Sequence, residues 1–258
     1  MTILSWYLFC FICFIKLGIE AIKGSMMKTT TSKTVLATLM FSLSSIANAG
    51  LIDLNSWTAT SGGTWNVQGG GTSVLQTTNG QPTFFLSDSN YINTIFDGTF
   101  GVETSSDDDF IGFAFGYANS TDFLLFDWKQ GNQTTAQSGF TLSKISGSDV
   151  DYWGHTGSDI TVLASDYVGN NGWADNTVYD FSLDFTTSRI KIDIDGSNIF
   201  DVSGSFSTGK FGFYNYSQSN VRYTGFTEEQ SPSTVPEPST FAIFALGVIG
   251  LASRRYKK

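Results

Sequence analysis

Cysteine is nearly absent. The 258 residues contain two, Cys10 and Cys13. From Gly50 onward there is no thiol, which excludes disulfide bracing and thiolate metal sites in the body of the protein. The C-x-x-C spacing of the pair lies inside an apolar run and is read as incidental. Histidine occurs once, as His155. A Ser-His-Asp triad is formally possible there, but no G-x-S-x-G elbow accompanies it. Basic residues are also scarce. Between Gly50 and Thr234 six Lys/Arg face 21 Asp/Glu, a net charge of −15. That balance disfavours nucleic acid, whose phosphates need cations, and anionic lipid. It suits divalent cations and neutral polysaccharide. Of the four prolines, three fall in the last 27 residues, so the punctuation is concentrated at one end. No convincing helical stripe exists between Gly50 and Thr227.

What is present is alternation. In 177–186, Tyr179, Phe181, Leu183 and Phe185 alternate with polar residues, which predicts a strand with one buried face. Ile190, Ile192 and Ile194 alternate with Lys191, Asp193 and Asp195. Asp195-Gly196 then reads as a hairpin turn, because a type I′ turn needs positive φ. The next strand is expected over 198–203. In 110–117, Ile111, Phe113, Phe115 and Tyr117 fall on one side. Phe110, Gly112, Ala114 and Gly116 fall on the other, where small residues let another layer approach. Further strands are expected over 123–128, 211–216 and 221–227. Many short strands separated by turns predict an all-β, two-sheet antiparallel sandwich of the jelly-roll kind. The 185 residues from Gly50 to Thr234 suffice for one such domain with a full core.

Both ends read as addresses. Lys28 and Lys33, the apolar stretch Val35 to Ile46, and Ala47-Asn48-Ala49 have the three parts of a secretory signal peptide with an A-x-A cleavage site. Residues 1–25, apolar in their own right, are read as a gene-model extension or a hydrophobic anchor, and 26–49 as the signal peptide. Residues 50–230 form the sandwich domain, 231–235 a linker and 236–258 a second signal. In that last segment Pro236-Glu237-Pro238 precedes a 12-residue apolar run, Phe241 to Ala252, and then Arg254-Arg255-Tyr256-Lys257-Lys258. A bilayer core needs about 20 helical residues, so the run is short for a permanent span. The prolines keep the preceding peptide extended. The order of motif, short hydrophobic helix and basic end resembles the PEP-CTERM sorting signal of Gram-negative bacteria, read by the membrane protease-transpeptidase exosortase. The resemblance implies export, transient inner-membrane association through the tail, exosortase as a partner, and release or transfer to the cell surface.

The body resembles a second family. Phe96-Asp97-Gly98-Thr99-Phe100, the run Asp107-Asp108-Asp109-Phe110-Ile111-Gly112-Phe113-Ala114-Phe115-Gly116-Tyr117, and Trp128-Lys129-Gln130 fall in order. Trp153-Gly154-His155-Thr156-Gly157, Gly172-Trp173-Ala174-Asp175, Gly209-Lys210-Phe211-Gly212 and Ser217-Gln218 continue it. Together they are similar to the thrombospondin C-terminal domain, a concanavalin A-like (lectin-like) sandwich. The animal members carry cysteines in or near this domain, where this chain has none, and calcium-rich type 3 repeats ahead of it that this sequence does not show.

Asp107, Asp108 and Asp109 are the sharpest polar feature. Three adjacent carboxylates repel one another, and a hard cation with oxygen ligands relieves that. The resemblance likewise implies Ca2+ in this fold. Glu103 and Asp127 are candidate neighbours of the triplet. Asp193-Ile194-Asp195-Gly196 lacks the spacing and terminal Glu of an EF-hand and reads as a plain hairpin. Trp153 and Trp173, expected in loops, are candidate sugar-facing rings; Trp57 and Trp65 are expected in the core. No catalytic residue is assigned. Glucanases of the lectin-like fold resemble one another in an E-x-D-x-E strand, which is absent, and only Glu103, Glu228 and Glu229 occur in the domain. The function expected is a non-catalytic, calcium-binding adhesion or binding module in extracellular polysaccharide or biofilm matrix. The alternative is a carbohydrate hydrolase or lyase on the same sandwich; a structural surface coat is the third class.

Overall fold

The structure is a computed structural model and describes residues 50–169 and 171–231. The expected signal peptide with Ala47 and Ala49, the expected tail helix and Pro236-Glu237-Pro238 lie outside the described residues. Within them, two antiparallel sheets face one another. One orders β13 (Ser197–Ser203), β12 (Arg189–Ile194), β11 (Val178–Phe185), β6 (Thr94–Val102), β15 (Val221–Gln230), β4 (Ser73–Gln76) and β3 (Trp65–Gln68), with β1 (Gly50–Leu51) also paired to β15. The other orders β10 (Ile160–Asp166), β9 (Gly139–Ile145), β8 (Asp122–Lys129), β7 (Phe110–Asn119), β14 (Gly209–Tyr216), β5 (Thr83–Tyr91) and β2 (Thr58–Ala59). The expected sandwich is therefore present. Among the described residues no helix is long and apolar enough to cross a membrane.

The alternation fills the space between the sheets. Phe181, Leu183, Phe185, Ile190, Ile192 and Ile194 from the eight-stranded sheet meet Ile111, Phe113, Phe115 and Phe126 from the other. Much of this core is aromatic, with close pairs such as Phe213–Tyr223 at 4.2 Å and Phe96–Phe211 at 4.7 Å between centroids. The β12–β13 hairpin turns on Asp195 and Gly196, with φ of 48° and 72°, as a type I′ turn requires.

One strand departs from simple alternation. Gly116 adopts φ of 55°, and the β7–β8 register slips between Phe115 and Asn119. This bulge carries Tyr117 to the opposite face from Phe113 and Phe115, where it packs on Phe84 and Phe123. The period-two reading placed all of them together; a bulge breaks that period by inserting one residue. Gly112 is small for a different reason from the one expected. A Cβ there would lie 2.1 Å from the backbone oxygen of Phe126 on the neighbouring strand, so the close approach is within the sheet.

The outer face of the seven-stranded sheet is covered. Phe84, Leu86, Phe110, Phe123, Leu125 and Tyr214 form a second apolar cluster, packed by Val150, Tyr152 and Trp153 from the β9–β10 connection. The sandwich has two distinct poles. β15 starts at Val221 beside Gln76 and Val102, and ends at Gln230 beside Thr94. Segments 77–82, 103–109, 130–138, 167–169, 171–177 and 217–220 gather at the first pole. At the second, Ser231, expected as the first linker residue, is anchored. Its N–H donates to the Asn93 carbonyl at 2.8 Å and its Oγ to Asp184 Oδ1 at 2.6 Å.

Candidate functional site

The first pole is organised around a buried ion pair. Asp109 immediately precedes β7 and Lys129 ends β8. Antiparallel pairing of Phe110 with Lys129 brings the carboxylate to the ammonium. Lys129 Nζ donates to Asp109 Oδ1 at 2.7 Å, to the Asp108 carbonyl at 2.9 Å and to Gln133 Oε1 at 3.0 Å. Three acceptors satisfy the three N–H bonds of an ammonium. The ammonium also lies 5.3 Å from the Phe110 ring centroid and 5.0 Å from that of Trp153, at cation–π distance. The Lys129 side chain is wholly buried and that of Asp109 is 5 % exposed.

Asp109 is tied down from every side. Its N–H donates to Gln218 Oε1 at 3.0 Å, and its carbonyl accepts from the Trp173 indole N–H at 3.0 Å. Trp173 is 2 % exposed, so its ring belongs to the core and cannot face a sugar as expected. A long loop hid this, because burial of a loop tryptophan depends on what folds over it. Trp153, by contrast, stays half-buried. Its indole N–H donates to Thr134 Oγ1 at 3.0 Å, and its ring packs edge-on against Phe110 and Tyr216. Trp57 is buried in the core, and Trp65 stacks on Phe85 at 5.5 Å.

The three aspartates do come together: one carboxylate oxygen from each of Asp107, Asp108 and Asp109 lies within 4.8 Å of the others. They are not equally free. Asp109 is committed to Lys129, and Asp108 Oδ1 lies 3.5 Å from the same ammonium. Asp107 is half-buried and accepts from the Asn79 side-chain amide. Burial, then the charge of Asp109 and more weakly that of Asp108, pushes the Asp107 carboxyl above its usual range. The expected neighbours Glu103 and Asp127 do not join the triplet. Glu103 Oε2 accepts from Arg222 Nη2 at 3.1 Å, and Asp127 serves His155. Asp193 pairs with Lys191, while Asp195 Oδ1 accepts from the Asp180 N–H at 2.8 Å; that segment is a hairpin, as read.

His155 sits in a tight turn. Asp151 and Thr156 exchange backbone hydrogen bonds at 2.7 and 3.2 Å, and Asp151 Oδ1 accepts from the Trp153 N–H at 3.0 Å. The turn drives the imidazole onto the outer face of the seven-stranded sheet, with Nε2 at 3.1 and 2.9 Å from the two oxygens of buried Asp127. Burial works against a charged ring, but the charge and hydrogen bonding of Asp127, with help from Asp151, outweigh it and raise the His155 pKa above 6.5. The stability this pair contributes is fully present below about pH 6.5 and is lost as pH rises through the raised folded value. The melting temperature is therefore expected to fall as pH increases across that window, and the fall should be absent in His155→Gln. As the chain has one histidine, NMR titration of the ring reads the same pKa directly. An unshifted ring, or identical pH profiles for both proteins, would show that the pair does not pin the turn.

Lys129 organises this pole, and sequence reading did not single it out. Its signal was a single cation ending the largely apolar strand FLLFDWK, in a domain with six cations in all. Of the polar residues that join it, Gln218 is noted only as part of the resemblance, and Gln133 carries no signal of its own. Further contacts close the pole: Gln130 Nε2 donates to Asp175 Oδ1 at 2.9 Å and Trp128 Nε1 to the Asn171 carbonyl at 2.5 Å.

A family model of the thrombospondin C-terminal region matches residues 60–150, and one of the PEP-CTERM protein-sorting motif matches 234–258. Over 200 residues the chain is 30 % identical to human thrombospondin-3, and over 201 residues 28 % identical to bovine cartilage oligomeric matrix protein. Each alignment covers 67 % of this chain but only 21 % and 26 % of those proteins, so the chain spans about a fifth to a quarter of the curated relatives it matches. Among solved structures, a carbohydrate-binding module from Bacillus subtilis has a TM-score of 0.53 at 16 % identity, covering 67 % of this chain and 95 % of that one. The VIP36 exoplasmic/lumenal domain, in its Ca2+/Man3GlcNAc-bound form, has a TM-score of 0.50 at 9 % identity, covering 76 % and 94 %. These two establish a shared lectin-like fold. The C-terminal match marks the chain for export and exosortase-mediated sorting to the cell surface or extracellular space.

Proposed function

From a thrombospondin C-terminal-like sandwich placed ahead of a PEP-CTERM sorting motif, we propose a non-catalytic binding or adhesion protein of the extracellular polysaccharide or biofilm matrix. The signal peptide ending at Ala49 exports the chain. The tail holds it briefly at the inner membrane, and exosortase acts near Pro236-Glu237-Pro238. One observation carries the non-catalytic reading. The buried carboxylates of the first pole are already engaged, Asp109 by Lys129 and Asp127 by His155. A hydrolase needs two carboxyl groups flanking an accessible bond, and a carboxylate locked in a buried ion pair cannot exchange protons with substrate. Trp153 is the ring left for a ligand.

Calcium fits the exposed side of the aspartate cluster. Its donors are all hard oxygens, as Ca2+ prefers. Asp107 and Asp108 supply them, while Asp109 faces the ammonium behind. The ion would offset the repulsion from Asp109 and Asp108 that adds to burial in raising the Asp107 pKa. Adding Ca2+ is expected to raise the melting temperature, EDTA to reverse this, and Asp107→Asn with Asp108→Asn to abolish the response. An unchanged melting temperature in all three cases argues against the ion. The wider reading is tested by a glycan screen of the exported domain beside a reducing-end assay on polysaccharide. Binding that weakens in Trp153→Ala, without release of reducing ends, is the expected result. Turnover would favour the hydrolase or lyase, and neither signal would favour a surface coat.

A further inference from the structure

A cleft opens between the sheets at the second pole, where the chain also enters and leaves. Gly50 pairs with Glu228 through β1, and β15 ends two residues later. The corner beside the cleft is Ile92-Asn93, which carries the chain from β5 in one sheet to β6 in the other, with Asn93 at φ of 55°. The cleft has a volume of about 470 Å³, within the roughly 300–1,000 Å³ of small-molecule sites. Tyr91 and Asn90 of β5, Thr208, and Glu228, Glu229 and Gln230 of β15 line it.

Packing does not account for its polar groups. The inward positions of β15 run Val221, Tyr223 and, past a bulge, Phe226, all buried. The next is Glu228, registered against core Phe96. A carboxylate at an inward position gains nothing from the core and costs desolvation. Among the described residues the Asn90 amide and the Glu229 carboxylate have no side-chain hydrogen-bond partner, and neither glutamate is ion-paired. At the first pole, by contrast, Asp109 and Glu103 both are. Tyr91 supplies a ring, held edge-on to Phe96 at 5.0 Å between centroids and 86° between planes. Burial, then the charges of Glu228 and Asp88, push its phenol up to about 12. The hydroxyl therefore keeps its proton at neutral pH and remains a donor.

An aromatic face beside a protonated donor, a free amide and uncommitted carboxylates suits a sugar ring. The C–H face of a sugar packs on tyrosine. Its neighbouring hydroxyls donate to the carboxylates and accept from the phenol and the amide. An acidic sugar is repelled by Glu228 and Glu229. A metal ion finds no cage, since successive strand residues point to opposite faces; among the described residues only the aspartate triplet has metal-holding geometry. We propose that this cleft is a second site, for neutral saccharide, and that with Trp153 at the other pole it makes the protein a two-ended cross-linker of polysaccharide. The cross-linking rests on the reading of Trp153 as a ligand-facing ring; binding in the cleft does not. β15 spans ten residues between the poles, about 30 Å at roughly 3.3 Å per residue. The two ends therefore engage separate strands of a matrix, and repeated engagement along each strand adds avidity.

The test applies the full chain, in mild detergent, to an array of neutral gluco-, manno- and galacto-oligosaccharides. The strongest binder is titrated by calorimetry and then added as its long-chain polysaccharide. Two sites per chain are expected, with one surviving in Tyr91→Ala, one in Trp153→Ala and none in the double variant. Glu228→Gln removes a charge without truncating a half-buried ring. It is expected to weaken the cleft at least roughly tenfold and to leave the melting temperature unchanged. The parent should draw the polysaccharide into a turbid network, while Tyr91→Ala and Trp153→Ala should each bind it without doing so. One site that is lost in Trp153→Ala and unmoved by Tyr91→Ala and Glu228→Gln overturns the cleft and leaves the Trp153 reading standing. One site that is lost in Tyr91→Ala and unmoved by Trp153→Ala overturns the cross-linker together with the role of Trp153. Binding to nothing on the array overturns both sites.

Discussion

Replacing Asp109 with alanine is expected to remove about 3–5 kcal/mol of folding stability, because it leaves the Lys129 ammonium buried without a counter-charge. At about 2–4 °C per kcal/mol for a domain of this size, the melting temperature falls by roughly 10 °C. The loss is not the worth of the contact, since most of it is the penalty of an unpaired charge. Lys129→Met in the Asp109→Ala background is therefore expected to recover a large part of it, because the stranded charge is gone. Urea unfolding of the single and double variants measures both numbers. A single variant within about 1 kcal/mol of the parent would mean that water reaches Lys129, and the account of the pole given above would fail. Asp108→Ala, whose carboxylate lies at 3.5 Å and is partly exposed, is the built-in comparison and should cost much less.

Trp173→Ala is the second large effect, about 3–5 kcal/mol for truncating a buried tryptophan to alanine. Here two losses coincide. The indole leaves a cavity, and the Asp109 carbonyl loses its donor. The tryptophan at Trp153 makes the contrast. It is half-buried, so Trp153→Ala is expected to cost less stability but to weaken ligand binding. Chemical denaturation paired with the glycan screen separates the two. If Trp173→Ala left stability intact while abolishing binding, the core assignment of Trp173 would be overturned and the sugar-facing role restored.

The fold was legible because its signal is local. Ile190, Ile192 and Ile194 announce a buried face by spacing alone, and Asp195-Gly196 announces its turn by the chemistry of positive φ. Tyr117 was misplaced because one glycine bulge shifts a strand's phase, and the sequence offers several glycines at which that could happen. The site was legible only in outline. Asp107-Asp108-Asp109 and the tryptophans drew notice as residue types, but Lys129 lies 20 residues from Asp109 and His155 lies 28 from Asp127. Their partnerships depend on strand register and on the path of a loop across the sheet, and no spacing rule reaches that far.

Composition and periodicity by themselves determined a thiol-free, acidic, two-sheet body between two hydrophobic terminal segments, because burial of alternate side chains is a property of neighbours along the chain. Only the tertiary structure decided which acidic groups are engaged, which tryptophan is sealed, and that both ends of the domain leave from the same pole. Those outcomes follow from desolvation and pairing across sheets, which act between residues that folding alone brings together.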